Sequence, residues 1–337
     1  METNAAVDRR LLKQIQAAAG RVYRLVRRTP LVRCTSLSEH YGADIWLKQE
    51  QRQPYVRAYK GRGVANFFYS QPARPSALVT ASGGNHGRAV ARLAAVERVP
   101  ATIFVPQAAS TFTVGQIRRL GSPYVEVVRS GEIFDDAYAA AWAYAGETGS
   151  LMVPPYDHPA IIAGQGTLGL EVAAQLTALD LVPEVALCQI GGGGVFSGYG
   201  TAMKAVFPSL HLIGVELDEA AAMTASLEAG ERRTVSVPSA PFSPTMAVAC
   251  PGELTFLYVQ ALADQMVVTD RPATCRAMET LAQAHPGFPA EPAGATGVAA
   301  LEQLVDQIAG RTVVCLITGG NFDRAMWPRI RDWAARA

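Results

Sequence analysis

From Pro30 onward, short apolar runs alternate with longer stretches whose apolar positions recur every three or four residues. The short runs predict strands over 44–49, 76–80, 101–105, 123–128, 151–153, 185–190, 211–216, 265–269 and 312–318. The longer stretches predict helices, notably over 86–97, 132–147, 160–178, 195–206, 271–284 and 295–309. Ahead of Pro30, Leu11, Leu12, Ile15, Val22 and Leu25 recur at helical spacing in a charged segment, which predicts an amphipathic helix over 8–27. Strand–helix alternation of this kind implies parallel sheets covered by helices on both faces. There are too many strands for one small sheet, so the expectation is two α/β domains. Nothing repeats at a fixed period, and no low-complexity linker separates the halves.

In such sheets ligands gather beyond the carboxyl ends of the strands. Three glycine-rich turns occupy that position: Ser82-Gly83-Gly84-Asn85-His86-Gly87 after the run ending at Thr80, Gly191 to Gly194 after Ile190, and Thr318-Gly319-Gly320-Asn321 after Ile317. The four consecutive glycines stand between a strand and a helix. Lacking Cβ atoms, they can bring several N–H groups onto one anion, and the helix behind adds its positive dipole end. A phosphate is the ligand this arrangement predicts. The spacing fits neither a dinucleotide fingerprint, since Phe196 and Ser197 stand where its third glycine belongs, nor a nucleoside-triphosphate loop, since no Lys-Ser or Lys-Thr pair follows.

Composition narrows the class. Apolar residues make up 49% of the 337-residue chain, enough for a sizeable core, and 30 basic residues nearly balance 29 acidic ones. Near-neutrality argues against nucleic acid or an anionic membrane as the main partner. No apolar stretch is long and uncharged enough to span a bilayer, and Asp8-Arg9-Arg10 leads into no signal-peptide core. Cys34, Cys188, Cys250, Cys275 and Cys315 are an odd, scattered set without a Cys-x-x-Cys pair. Neither a metal nor a disulfide framework is expected, and a reducing cytoplasm fits best. Only Lys13, Lys48, Lys60 and Lys204 are lysines, so any chemistry that needs an amine has four candidates.

A phosphate cup, a few lysines and polar turns at strand ends together suggest pyridoxal phosphate, which needs a phosphate anchor, a Schiff-base lysine and a partner for its ring nitrogen. Lys60, in Tyr59-Lys60-Gly61-Arg62-Gly63, has small neighbours that leave room for a planar ring. Lys13 belongs to the charged N-terminal helix, Lys204 sits on a helix face expected to meet water, and Lys48 reads as a buried cation paired to Glu50. From that segment alone, Lys60 also reads as an exposed turn lysine.

With these motifs in hand, the chain resembles the fold-type II pyridoxal-phosphate enzymes, in the serine/threonine dehydratase and serine racemase branch. The likeness covers nearly the whole chain, with motifs in the family's order. Arg28-Thr29-Pro30-Leu31, Leu47-Lys48-Gln49-Glu50, the Lys60 segment and the turn at 82–86 come first. Ala163-Gly164-Gln165-Gly166-Thr167, the four glycines, Gly214-Val215-Glu216, Glu291-Pro292-Ala293-Gly294-Ala295 and Thr318-Gly319-Gly320-Asn321 complete the set. The resemblance implies a tryptophan synthase β-subunit-like fold, with residues 1–80 and 155–337 forming a large cofactor-binding domain and 81–154 a small substrate-binding domain. It makes Lys60 the Schiff-base lysine and proton-transfer base. Gly191, Gly192, Gly193 and Gly194 would hold the phosphate, Asn85 the ring hydroxyl oxygen, and Thr318 would face the pyridine nitrogen. Tyr59, in place of the family's usual phenylalanine, would pack on the ring, and Glu291 belongs to the same cofactor site. Ser82, Gly83, Asn85 and His86 would receive the carboxylate of a small amino-acid substrate. A cytoplasmic homodimer without an added C-terminal regulatory domain is expected. The activity implied is elimination of the β-substituent of a serine- or threonine-type hydroxy amino acid, giving a 2-oxo acid and ammonia. A racemase or β-replacement enzyme of the same family is the alternative, with an acidic substrate such as 3-hydroxyaspartate in view. A catalytically silent cofactor-binding protein is a third reading, which Lys60 and the intact turns disfavour.

The chain departs from the family on the substrate side. Val56-Arg57-Ala58 replaces a small Thr/Ser-Gly-Ser stretch, and Arg57 either points into solvent or lines the pocket, where its fork would suit a second anionic group on the substrate. Ser243-Pro244-Thr245-Met246-Ala247-Val248 replaces Ala-Asp-Gly-Leu-Ala-Val. Gly83 stands where the racemase branch has a serine that works on the face opposite the lysine, so little racemisation is expected. Glu216 matches a metal-ligand position of that branch, but Ala222 replaces its second carboxylate, and no metal is expected.

Overall fold

The computed structural model describes residues 8–336. Among them ten strands form two sheets: β1 (Leu31–Arg33), β2 (Asp44–Gln49), β3 (Leu78–Ala81), β4 (Ala101–Val105), β5 (Val125–Arg129), β6 (Leu151–Met152), β7 (Val185–Gln189), β8 (His211–Leu217), β9 (Gln265–Thr269) and β10 (Thr312–Ile317). The larger sheet runs β1-β2-β10-β7-β8-β9 and is parallel apart from β1, which pairs antiparallel with β2. The smaller runs β5-β4-β3-β6 and is parallel throughout. This is the α/β architecture of two parallel sheets that strand–helix alternation predicts.

The strands read as continuous apolar runs because both faces of each sheet are covered. Successive side chains alternate faces. Leu187, Ile213, Val313 and Cys315 enter one core of the large sheet, while Ala186, Cys188, Leu212 and Val314 enter the core on its other face. In the small sheet Leu78 and Ile103 face one core, and Val79 and Phe104 the other. No helix among the described residues is long and apolar enough to cross a membrane.

Three differences from the predicted elements bear on the site. Strand β1 has only three residues after Pro30, too few to show a period. The expected helix at 295–309 is three pieces, Pro292–Ala299, a 3-10 turn Ala300–Gln303 and Val305–Ile308, which together bury Leu301, Leu304 and Ile308. An unforeseen helix, Gly61–Tyr69, begins directly after Lys60. Its glycine-flanked start is poor helix-forming text, so the segment reads as a turn until its apolar face is seen against the small sheet's core through Val64, Phe67 and Phe68. The boundary expected at residue 80 also needs correction. It cuts through β3, which pairs with β4 and β6 of the small sheet.

Candidate active site

Lys60 sits at the start of the helix Gly61–Tyr69, and a buried ionic frame fixes that helix from behind. Arg62, fully buried, donates from Nε and Nη2 to Glu50 at 2.9 and 2.7 Å and from Nη2 to Glu171 at 2.9 Å. Lys48 is fully buried too. Its Nζ donates to Glu171 Oε1 at 2.6 Å, the Thr29 carbonyl at 2.8 Å and Gln175 Oε1 at 2.8 Å. Lys48 therefore pairs with Glu171, not with Glu50 as the sequence suggests: the chain leaves the strand after Gln49 and turns Glu50 toward Arg62. Two cations and two carboxylates cancel inside the protein, which is the condition for burying them.

The Lys60 amine lies outside this frame. Its Nζ donates to the Pro155 carbonyl at 2.8 Å, no carboxylate pairs with it, and burial alone lowers its pKa to about 8. A lysine in that state yields a neutral amine far more readily than a solvated one.

The next residue after Pro155, Tyr156, walls the glycine turn. A Cβ on Gly192 would stand 2.4 Å from the Tyr156 ring, and one on Gly191 would stand 3.0 Å from the Met246 carbonyl oxygen. Gly193 has φ +86, and Gly194 opens the helix Gly194–Val206. Among the described residues the N–H groups of Gly191 to Phe196 find no acceptor, and the buried Thr255 hydroxyl beside Gly193 has no partner. A row of free donors at a helix N-terminus is a ready anion cup.

A second such cup follows β3. The Gly84 N–H donates to Ser82 Oγ at 3.1 Å, while the N–H groups of Gly83, Asn85, His86 and Gly87 find no protein acceptor at the start of the helix Asn85–Glu97. Asn85 is held rigidly. Its Nδ2 donates to Glu291 Oε1 at 2.5 Å, and its Oδ1 accepts from Asn321 Nδ2 at 2.7 Å. Asn321 also donates its backbone N–H to Glu291 Oε2 and Nδ2 to the Val56 carbonyl. Burial raises the Glu291 pKa to about 7, against the lowering effect of these hydrogen bonds.

The turn after β10 joins the two halves. Ala58 bridges Gly319, and the Tyr59 N–H donates to the Thr318 carbonyl at 3.1 Å, so Lys60 is tethered beside Thr318. The buried Thr318 hydroxyl donates to the Ala293 carbonyl over 3.3 Å. Tyr59 packs against the large sheet's core, with the Lys60 amine 5.3 Å from its ring centroid. Lys60, Tyr59, the four glycines, Asn85, Glu291 and Thr318 are thus linked by a continuous series of contacts.

Two of the predicted substrate residues, His86 and Arg57, turn their side chains away from the cup after β3, and His86 keeps its N–H on it. The His86 ring turns into the small sheet, where Nε2 is 3.1 Å from both Thr80 Oγ1 and the Val153 carbonyl. Burial first, and the nearby Lys60 charge second, push its pKa to about 3, so its side chain is a neutral structural group and only its N–H faces the cup. Arg57, in the left-handed region at φ +54, lines a cavity of about 640 Å³ with Arg88, Arg92, Arg119 and Arg324; Gly320 and Asn321 border it, Lys60 and Ser82 do not. Glu216 spends its carboxylate on Met223 N–H, Thr224 N–H and the Thr224 hydroxyl. Sequence reading missed Asn321 as the clamp on Asn85, and Tyr156 and Met246 as walls of the phosphate cup. The polar residue after Gly319-Gly320 and the Pro154-Pro155-Tyr156-Asp157 run at the end of β6 were the available signals.

Residues 22–319 match the family model described as pyridoxal-phosphate dependent enzyme. The chain belongs to this family. Among curated members, the L-threonine ammonia-lyase of Thermotoga maritima is 37% identical over 325 residues, covering 95% of this chain and 77% of that one. Among solved structures, the processed form of threonine deaminase isoform 2 from Solanum lycopersicum superposes with a TM-score of 0.89 at 29% identity, covering 98% of this chain and 90% of that one. Maize serine racemase superposes with a TM-score of 0.84 at 27% identity, covering 95% and 96%. The site fits the pyridoxal-phosphate family's cofactor. The free N–H groups of Gly191 to Phe196 and the unpartnered Thr255 hydroxyl suit its phosphate, Lys60 its carbonyl carbon, and Asn85 and Thr318 its ring.

Proposed function

We propose that this protein is a pyridoxal-phosphate-dependent ammonia-lyase that eliminates the β-hydroxyl of a serine- or threonine-type amino acid, yielding a 2-oxo acid and ammonia. One observation carries the reading. Two clusters of free N–H groups, one at Gly191–Phe196 and one at Gly83–Gly87, are joined through Thr245 and Met246, and the first is walled by Tyr156, next to the Pro155 carbonyl that holds a lysine amine whose pKa burial lowers to about 8. The first suits the cofactor's phosphate and the second the substrate's carboxylate.

The cofactor, when bound, supplies an electron sink for the pair left on the substrate's α-carbon. The N–H groups of Gly83, Asn85 and His86 orient the substrate by its carboxylate. Lys60 Nζ takes the α-proton, a transfer favoured by a pKa near the working pH. Asn85, clamped by Glu291 and Asn321, would hold the cofactor's ring. Gly83 presents no proton-bearing side chain, so nothing at that position returns a proton to the opposite face. The β-hydroxyl departs as water with a proton balancing the one taken by Lys60, and the enamine left behind tautomerises to an imine that water hydrolyses to the 2-oxo acid and ammonia. The proposal includes a homodimer in the cytoplasm; the five free cysteines agree with a reducing compartment.

The test is a panel of L-serine, L-threonine and 3-hydroxyaspartate, with 2-oxo acid, ammonia and product chirality measured together. Equimolar 2-oxo acid and ammonia support elimination. Sustained formation of a D-amino acid without 2-oxo acid would replace it with the racemase reading.

A further inference from the structure

One turn of irregular backbone touches both anion cups. Residues 243–247 are held closed by Met246 N–H and Ala247 N–H donating to the Ser243 carbonyl at 3.0 and 3.1 Å, and anchored by Glu219, which accepts from the N–H groups of Phe242 and Ser243. Met246 is buried, with its backbone against Gly191 of the phosphate cup. Its neighbour Thr245 reaches the other cup. The Thr245 methyl stands 2.8 Å from the position a Cβ on Gly84 would take, so it occupies the space that glycine leaves open. Thr245 is only half-buried, between buried Met246 and exposed Pro244, and its hydroxyl has no hydrogen-bond partner among the described residues. The chain thus brings a free hydroxyl to the edge of the turn that receives the substrate carboxylate.

We propose that Thr245 is a specificity-determining residue: its Oγ1 hydrogen-bonds the β-hydroxyl of the amino-acid substrate, and its methyl limits the size of the β-substituent. The inference rests on the elimination reading and deepens it. A substrate held by its carboxylate at Gly83–Gly87 carries its β-carbon two bonds from the carboxylate carbon, and a side chain that fills the space beside Gly84 is a neighbour of that β-substituent. A partnerless hydroxyl there recognises a hydroxyl and gains nothing from a chloride or a hydrogen. Discrimination of this kind comes from a site group left unpaired by the wrong substrate.

The test is Thr245→Val, which keeps the shape and removes the hydroxyl, beside Thr245→Ser, which keeps the hydroxyl. Cofactor-loaded wild type and variants are compared on L-serine and on β-chloro-L-alanine, whose leaving group needs no donor. Thr245→Val should lose about tenfold in kcat/KM on L-serine, mainly through KM, and little on β-chloro-L-alanine. Thr245→Ser should restore L-serine turnover and admit larger β-substituents, while the cofactor absorbance stays unchanged in both. Equal losses on the two substrates, or none on L-serine, would overturn the proposal. Should the wild type eliminate neither substrate, the elimination reading fails by itself. Thr245 is then read from calorimetric binding of L-serine and L-alanine: Thr245→Val should abolish the preference for L-serine, and a preserved preference would overturn the proposal.

Discussion

Replacing Lys48 by methionine tests whether the ionic frame behind Lys60 behaves as a charge-balanced unit. The frame holds Lys48, Arg62, Glu50 and Glu171, whose side chains are at most 1% exposed. Lys48→Met keeps most of the volume but leaves two carboxylates facing one guanidinium. Glu171 retains Arg62, the Thr29 N–H and the Tyr23 hydroxyl, so no acceptor on it is abandoned. Gln175 Oε1 loses its donor, and the excess negative charge stays out of water. Breaking a buried pair from one side costs about 3–5 kcal/mol, and the hydrogen bonds that survive on Glu171 keep the loss at the lower end, so about 3 kcal/mol is expected. Adding Glu171→Met should recover part of it, since Arg62 and Glu50 then balance alone through two hydrogen bonds. Equilibrium urea denaturation of the apoprotein, followed by tryptophan fluorescence, reads both effects as midpoint shifts at constant slope. A loss under about 1 kcal/mol in Lys48→Met, or a double variant worse than the sum of the singles, would refute the charge-balance argument.

The remaining predictions concern the crevice. Glu291 has a folded pKa raised from 4.5 to about 7, so its contribution is fully present below about pH 4.5 and is lost as pH rises through 7. Apoprotein stability should fall by about 3 kcal/mol between pH 4.5 and 8 on this account, and Glu291→Gln should flatten that slope; an unchanged slope in the variant would assign it to other groups. Gly193→Ala, at φ +86 and with its new Cβ 2.9 Å from Thr255 Cβ, should weaken cofactor affinity at least about tenfold by fluorescence titration, and wild-type affinity would remove the turn from the phosphate site. Arg57→Asn relieves a left-handed arginine whose Nε and Nη2 lack partners; it should gain about 1 kcal/mol and leave the preference between threonine and 3-hydroxyaspartate unchanged, whereas a tenfold shift in that preference would put Arg57 back beside the substrate.

The elements most legible in the sequence were those whose function depends on a missing side chain. Glycine runs at strand ends announce close backbone approach, and both clusters of free N–H groups stand at those runs. Lys60 was legible for a different reason, the scarcity of lysine. What stayed hidden was pairing between distant parts of the chain. Glu171 reaches Lys48 across 123 residues, while Glu50, the near neighbour, turns away at the strand end. Asn321 reaches Asn85 across 236 residues, and no local pattern marks that partnership. The direction of Arg57 stayed open for the same reason: sequence proximity to Lys60 does not set side-chain direction where the backbone enters a left-handed turn. In Ala163-Gly164-Gln165-Gly166-Thr167 the glycines serve packing, since a Cβ on Gly164 would stand 2.6 Å from the Arg62 carbonyl oxygen and one on Gly166 would meet Ile15 and the Gly198 carbonyl.

The central claim is that Lys60 carries the cofactor and moves the α-proton. It is tested most directly by borohydride reduction of the cofactor-loaded protein, peptide mapping of the label, and assay of Lys60→Ala for 2-oxo acid from L-serine and L-threonine. The account predicts a single labelled peptide containing Lys60, steady 2-oxo acid release by the wild type, and none by the variant. A label on Lys48 or Lys204, or undiminished 2-oxo acid release by Lys60→Ala, would contradict it.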